Sequence, residues 1–175
     1  TSAPSIPHEL HQAPAADNLE ATKGHHRPQT CQLVEAVRES NRLIYNDGQE
    51  NPDRCEMGTT VVSAWLQRDI ASIAHVGDSR AYLWRDNRLE ALTQDHTLSD
   101  LLAREGLEAS YDDLHDDPRD ILVRVVGGEP DVEVDVVEIA LRSGDYLVLC
   151  TDGLSRVVSD TIVSTSISRL RDPQD

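Results

Sequence analysis

Four short apolar stretches between Thr59 and Thr93 do most to limit the folds open to this chain. They read TTVVSAWLQ, DIASIAHVG, SRAYLWR and RLEALT. Each is β-branched or alternating, and turn residues separate them, so the segment reads as strands. The dipeptides Arg68-Asp69 and Asp86-Asn87 have the length of tight hairpin connections. The spacing therefore predicts an antiparallel meander. The middle break, Gly77-Asp78-Ser79, sets a charge and a hydroxyl between two apolar runs. A plain turn accounts for it, and so does a carboxylate held at a strand end for chemistry.

Helical patterns flank these strands. In QTCQLVEAVRESNRLIYN, the residues Leu33, Val34, Val37, Leu43 and Ile44 recur at helical spacing, with Thr30 as a candidate N-cap and NDGQENPD as the stop. TLSDLLAREG reads as a helix capped by Thr97 and ended by Gly106. Two further strands follow, VEVDVVEIAL and DYLVLCT, joined by RSGD. A last helix, SDTIVSTSISRLRD, is capped by Ser159 or Asp160. The order is helix, four strands, helix, loop, two strands, helix. That is an α+β class with an antiparallel core, not the alternation of a parallel nucleotide-binding sheet. Residues 1–28 are rich in Pro, Ala and His with weak periodicity, apart from a helical turn at HELHQ. They are expected to be loosely ordered, with the domain running from 29 to 175.

Composition narrows the function classes. The 175 residues suffice for one domain. Phe is absent and aromatics are 3 %, so the core must rest on Val, Leu, Ile and Ala. The net charge of −16 repels nucleic acid phosphate and anionic membranes. Cys31, Cys55 and Cys150 are odd in number and lack CxxC spacing, which speaks against a disulfide framework and a zinc site. No apolar run nears the ~20 residues that span a bilayer, and no secretory pattern opens the chain. The expectation is a cytoplasmic protein with no membrane insertion and no nucleic acid partner.

Two carboxylates stand out. Asp78 in HVGDSR and Asp152 in YLVLCTDGL each follow an apolar strand and have a glycine neighbour. Such a placement suits a hard-metal ligand, although Gly-Asp and Asp-Gly are also ordinary turn dipeptides. LTQDHT sets Asp95 and His96 at a strand-to-helix junction, where capping and core hydrogen bonding compete with a site role. The run Asp112, Asp113, Asp116 and Asp117 reads as a solvated loop. VVGGEP has no lysine or helix start after it and is not a phosphate cradle. No nucleophile elbow and no cysteine in a basic setting support covalent catalysis. The residues by themselves stop at an acidic α+β domain with candidate Mg²⁺ or Mn²⁺ ligands.

The order of motifs goes further. MGTTVV, HVGDSRAYLWR, LTQDHT and LVRVVGGEPDVEVDVVEIALRSGDYLVLCTDGLSRVVSD together resemble the metal-dependent Ser/Thr protein phosphatases of the PP2C (PPM) family, in bacterial form. The resemblance runs from about Gln29 to about Arg169. It implies an antiparallel β-sandwich flanked by helices, in four αββα layers. It also implies two or three Mn²⁺ or Mg²⁺ ions and a metal-activated water that attacks phosphorus in line. Asp152 matches a metal-ligand Asp of the core centre, with Gly153 beside it. Asp78 matches an Asp that helps hold an additional ion. Ser79, Arg80, Asp95 and His96 match signature positions that support the site. Residues 106–119 match a flap beside the cleft. Phosphorylated proteins, the products of a Ser/Thr kinase, are the implied partners. The family's bridging Asp-Gly loop, its phosphate-binding Arg and its terminal Asp-Asn motif do not occur, so the chain is expected to be incomplete at both ends. The alternative is a catalytically inactive, PP2C-like regulatory or binding module.

Overall fold

The computed structural model describes residues 26–107 and 117–169. The elements in order are α1 (Pro28–Glu50), a 3-10 turn (Pro52–Arg54), β1 (Val61–Gln67), β2 (Ile70–Val76), β3 (Arg80–Arg85), β4 (Arg88–Ala91), α2 (Leu98–Arg104), β5 (Asp135–Ala140), β6 (Tyr146–Cys150), α3 (Asp152–Ser155) and α4 (Asp160–Arg169). HELHQ, most of the 1–28 segment and most of the acidic run lie outside the described residues.

The strands exist where the alternation places them, but they do not form one meander. They form two hairpins in two sheets, ordered β1-β2-β5 and β4-β3-β6. β1 pairs with β2 from Val61↔Val76 to Gln67↔Ile70. β3 pairs with β4 from Tyr82↔Ala91 to Arg85↔Arg88. The long-range partners are β5 on β2 and β6 on β3, all antiparallel. Gly77-Asp78-Ser79 is therefore the crossover from one sheet to the other. Gly77 has φ +105°, and a Cβ there would lie 2.3 Å from Thr60 Cγ2. That turn cannot continue a strand, so the chain leaves the first sheet.

Every residue of β2 is buried, because the strand is covered on both faces. Its odd-numbered residues Ala71 and Ile73 pack with Ala81, Leu83, Leu92 and Ile139 between the sheets. Its even-numbered residues Ala74 and Val76 pack with Val37, Val126 and Val132 beneath α1. The period-2 alternation thus feeds two cores from one strand. α4 packs against β4 on the far side. The layers run α1, sheet, sheet, α4, which is the expected αββα order.

α1 departs from its sequence pattern at two points. Thr30 is not its cap. Pro28 opens the helix, Arg27 occupies the cap position without a side-chain bond, and Thr30 is fully buried in the first turn. The cap comes from β5. The Glu138 carboxylate accepts the Arg27 N–H at 2.9 Å and the Thr30 hydroxyl, which also lies 2.8 Å from Ser72 Oγ. A carboxylate supplied across space satisfies the helix start and faces the positive end of its dipole. Leu43, assigned to the buried stripe by spacing, is exposed. Asn41 takes the inward position instead. Its amide donates to the carbonyls of Glu129 and Pro130 and accepts the Gly127 N–H at 2.7 Å.

Thr97 caps α2 by accepting from the Asp100 N–H, and Gly106 follows at φ +66°. Cys31, Cys55 and Cys150 are free thiols. Among the described residues no helix is long and apolar enough to cross a membrane.

Candidate metal centre

The site grows from the crossover. Asp78 follows Gly77, and its side chain is 9 % exposed. Ser79 is buried, and its hydroxyl bonds Thr60 Oγ1 at 2.9 Å, tying the crossover to the start of the first hairpin. Arg80 opens β3 and forks onto Asp95, with Nε–Oδ1 2.8 Å and Nη2–Oδ2 2.7 Å, while Nη1 reaches the Tyr82 hydroxyl. Bonding to Asp95 pushes the Arg80 pKa up. With both arms so engaged, Arg80 braces the 93–97 segment instead of pointing at a ligand.

His96 clamps the crossover from below. Its Nδ1 accepts the Gly77 N–H at 3.0 Å, and its own N–H donates to the Gly77 carbonyl at 2.9 Å. Because Nδ1 accepts, Nε2 carries the proton and donates to Asp135 Oδ2 at 3.2 Å. Asp135 is held below the usual carboxylate range, first by His96 and then by Arg124, whose Nη1 lies 2.6 Å from its Oδ1. His75 lies over the His96 ring with centroids 4.4 Å apart and donates from Nε2 to the Gln94 carbonyl. Burial, and then His96, pull its pKa down to about 4.

His75, His96 and Asp135 bring one ligand atom each within 4.8 Å of one another, close enough for a metal. The hydrogen bonds oppose that use. A metal on His96 Nε2 would move the proton to Nδ1, where it would face the Gly77 N–H. The Arg124 guanidinium already supplies the positive charge there, 3.1 Å from Nε2. The trio is a hydrogen-bonded support under Asp78.

Asp152 opens α3 at the end of β6, the position where the β6 carbonyl run gives way to a helix. Its side chain is 50 % exposed. Gly153, next in α3, is exposed, and a Cβ there would make only an ordinary contact, 3.5 Å from Thr151 Oγ1. The carboxylates that follow β2, in the first sheet, and β6, in the second, meet at Arg156. Arg156 Nη2 bonds Asp78 Oδ2 at 2.9 Å, Nε lies 3.5 Å from Asp152 Oδ2, and Nη1 bonds Asp120 Oδ1. Nη2 also donates to the Arg119 carbonyl at 3.2 Å. Asp78, Asp120 and Asp152 thus converge on one cation with an all-oxygen donor set, as Mg²⁺ and Mn²⁺ require. The residues present fit a divalent ion.

Asp78 and Asp152 come together here. Ser79, Arg80, Asp95 and His96 stand behind Asp78, not among the converging oxygens. Asp120 and Arg156 went unread in the sequence. Arg156 had one local signal, its place four residues after Asp152, whereas Asp120 had none. Of the implied flap, residues 108–116 lie outside the described residues.

The family is now settled. The sequence pattern of the protein phosphatase 2C family matches residues 8–110, more than half of the chain. The chain belongs to that family. It is 41 % identical over 130 residues to a serine/threonine phosphatase stp of Listeria welshimeri, covering 74 % of this chain and 51 % of that one. The crystal structure of the Mycobacterium tuberculosis serine/threonine phosphatase PstP/Ppp superposes with a TM-score of 0.70 at 33 % identity, over 78 % of this chain and 58 % of that one. A structure of the PstP catalytic domain in complex with two manganese ions superposes with a TM-score of 0.69 at 30 % identity, over 82 % of this chain and 60 % of that one. The chain spans about half the length of the stp relative it matches.

Proposed function

We propose that this chain carries part of the catalytic centre of a protein serine/threonine phosphatase that uses Mn²⁺ or Mg²⁺, two or three ions in all. The convergence of Asp78 and Asp152 on one cation carries the reading. Asp152 serves the core centre, with Gly153 beside it. Asp78 serves an additional ion. When bound, the ions lower the pKa of water and neutralise phosphoryl charge. The chain's own contribution is placement. Ser79 through Thr60, Arg80 through Asp95, and His96 through Gly77 hold the Asp78 carboxylate at the mouth between the sheets. A preorganised carboxylate need not be moved when charge develops on the phosphoryl group.

The phosphatase names of the relatives support phosphoserine and phosphothreonine proteins as substrates. Such substrates require a Ser/Thr kinase as the opposing activity. The strongly acidic composition disfavours nucleic acid, and a cytoplasmic setting fits the substrate class. Residues 29–175 are assigned to the phosphatase domain.

The test is Mn²⁺-dependent hydrolysis of p-nitrophenyl phosphate and of a phosphothreonine peptide by the protein. Activity should vanish with EDTA and return with Mn²⁺. Asp152→Asn should lower it by at least about a hundredfold, as expected when one ligand of a catalytic metal is lost. Full activity of that variant, or indifference to EDTA, would sink the reading.

A further inference from the structure

We infer that Arg156 is a built-in counter-cation of this centre and that it sets how tightly the Asp78–Asp152 pair takes a divalent ion. The inference rests on the reading that Asp78 holds the additional ion, with Asp152, which lies against the same guanidinium, serving that ion as well as the core centre. Asp78 is nearly buried, and its carboxylate bonds the Arg156 Nη2. A carboxylate in that position needs a compensating charge. Arg156 supplies it while its side chain remains 38 % exposed, so the head group has room to leave. Burial works against its charge, but the bond to Asp78 and the fields of Asp120 and Asp152 together outweigh it and raise its pKa. A guanidinium cannot shed its proton, so the competition does not fade with pH as it would for a lysine.

An incoming divalent ion seeks the same oxygens. Two cations on one carboxylate pair would repel strongly at such distances. Entry of the ion therefore moves Arg156 off Asp78 and Asp152. Its other partners show where it stays. The Asp120 carboxylate and the Arg119 carbonyl hold it from the middle of the segment that joins α2 to β5. Ion binding and the attachment of residues 119–120 to α3 are thereby linked, and linkage of this kind is reciprocal.

The experiment is Mn²⁺ titration by calorimetry of the wild-type chain, Arg156→Gln and Arg156→Lys, with Asp78→Asn as the site control. Melting in EDTA is recorded alongside. Arg156→Gln should bind Mn²⁺ about tenfold more tightly at the site that Asp78→Asn abolishes, the size expected for one competing ion pair removed. Arg156→Lys should fall between it and the wild type. In EDTA, Arg156→Gln should melt lower than the wild type, and Mn²⁺ should restore more of its stability. Equal or weaker binding by Arg156→Gln, with Asp78→Asn still abolishing the site, overturns the inference and leaves the phosphatase reading standing. If Arg156→Gln does not fold, Arg156→Lys decides, and affinity equal to the wild type overturns the inference. Mn²⁺ binding that ignores Asp78→Asn overturns the inference and also the reading beneath it.

Discussion

Gly77 shows how much one backbone angle can carry. At φ +105° an alanine would be strained, and its Cβ would meet Thr60 at both Cγ2 (2.3 Å) and Cβ (2.5 Å). Truncating Thr60 to alanine leaves the second clash in place, so the neighbour cannot yield. Gly77→Ala should destabilise the protein by on the order of 3 kcal/mol, combining φ strain with overpacking. Urea denaturation measures it, and an unchanged midpoint would refute the strain. The same position shows what the residues alone could reveal. Gly77-Asp78 and Asp152-Gly153 stood out because each interrupts an apolar strand. Arg156 did not, because its partners Asp78 and Asp120 lie 78 and 36 residues away in the chain. His96 could be seen as a junction residue, but not as the acceptor of the Gly77 N–H, 19 residues distant.

At the scale of elements, the hairpins were legible because their information is local. Asp86 (φ +51°) and Asn87 (φ +61°) both adopt the left-handed region, the signature of a type I′ turn. Arg68, in the other turn, has φ +56°. Asn87→Gly should therefore stabilise the protein by about 0.5 kcal/mol, since Asp-Gly is the favoured I′ pair. A rise in melting temperature checks it, and a fall would mean that the Asn87 side chain contributes something the turn geometry does not explain. Sheet membership was not legible. β2 and β3 are separated by three residues, yet they belong to different sheets. Alternation reports which face of a strand is apolar. It is silent on whether the apolar face meets the next strand or a strand 60 residues on. The cap of α1 was hidden for the same reason. Glu138 on β5 does the work that Thr30 would do in a helix read from its own sequence.

For the whole molecule, acid stability joins these scales. His75 lies between the sheets against His96, with Asp135 and Arg124 beyond and the Gln94 carbonyl on its Nε2. Its pKa is lowered from the usual His value of about 6.5 to about 4 in the fold. Between those values the unfolded chain binds a proton that the folded chain does not. Neutral His75 therefore contributes stability that is present above about pH 6.5 and is lost as pH falls toward 4. The full window is worth at most on the order of 3 kcal/mol. Asp135 and Asp145 add a second stage. Their carboxyl pKa values are lowered, Asp135 by His96 and then Arg124, Asp145 by Arg85. Their contribution is intact above the ordinary carboxylate pKa and is lost only below it. Acidification should thus weaken the protein in two steps, the upper one belonging to His75. In His75→Gln, whose amide can still donate to Gln94, the denaturation midpoint should change little between pH 7 and pH 5, while the wild type loses stability over that interval. Parallel losses in both proteins would assign the upper step to another group.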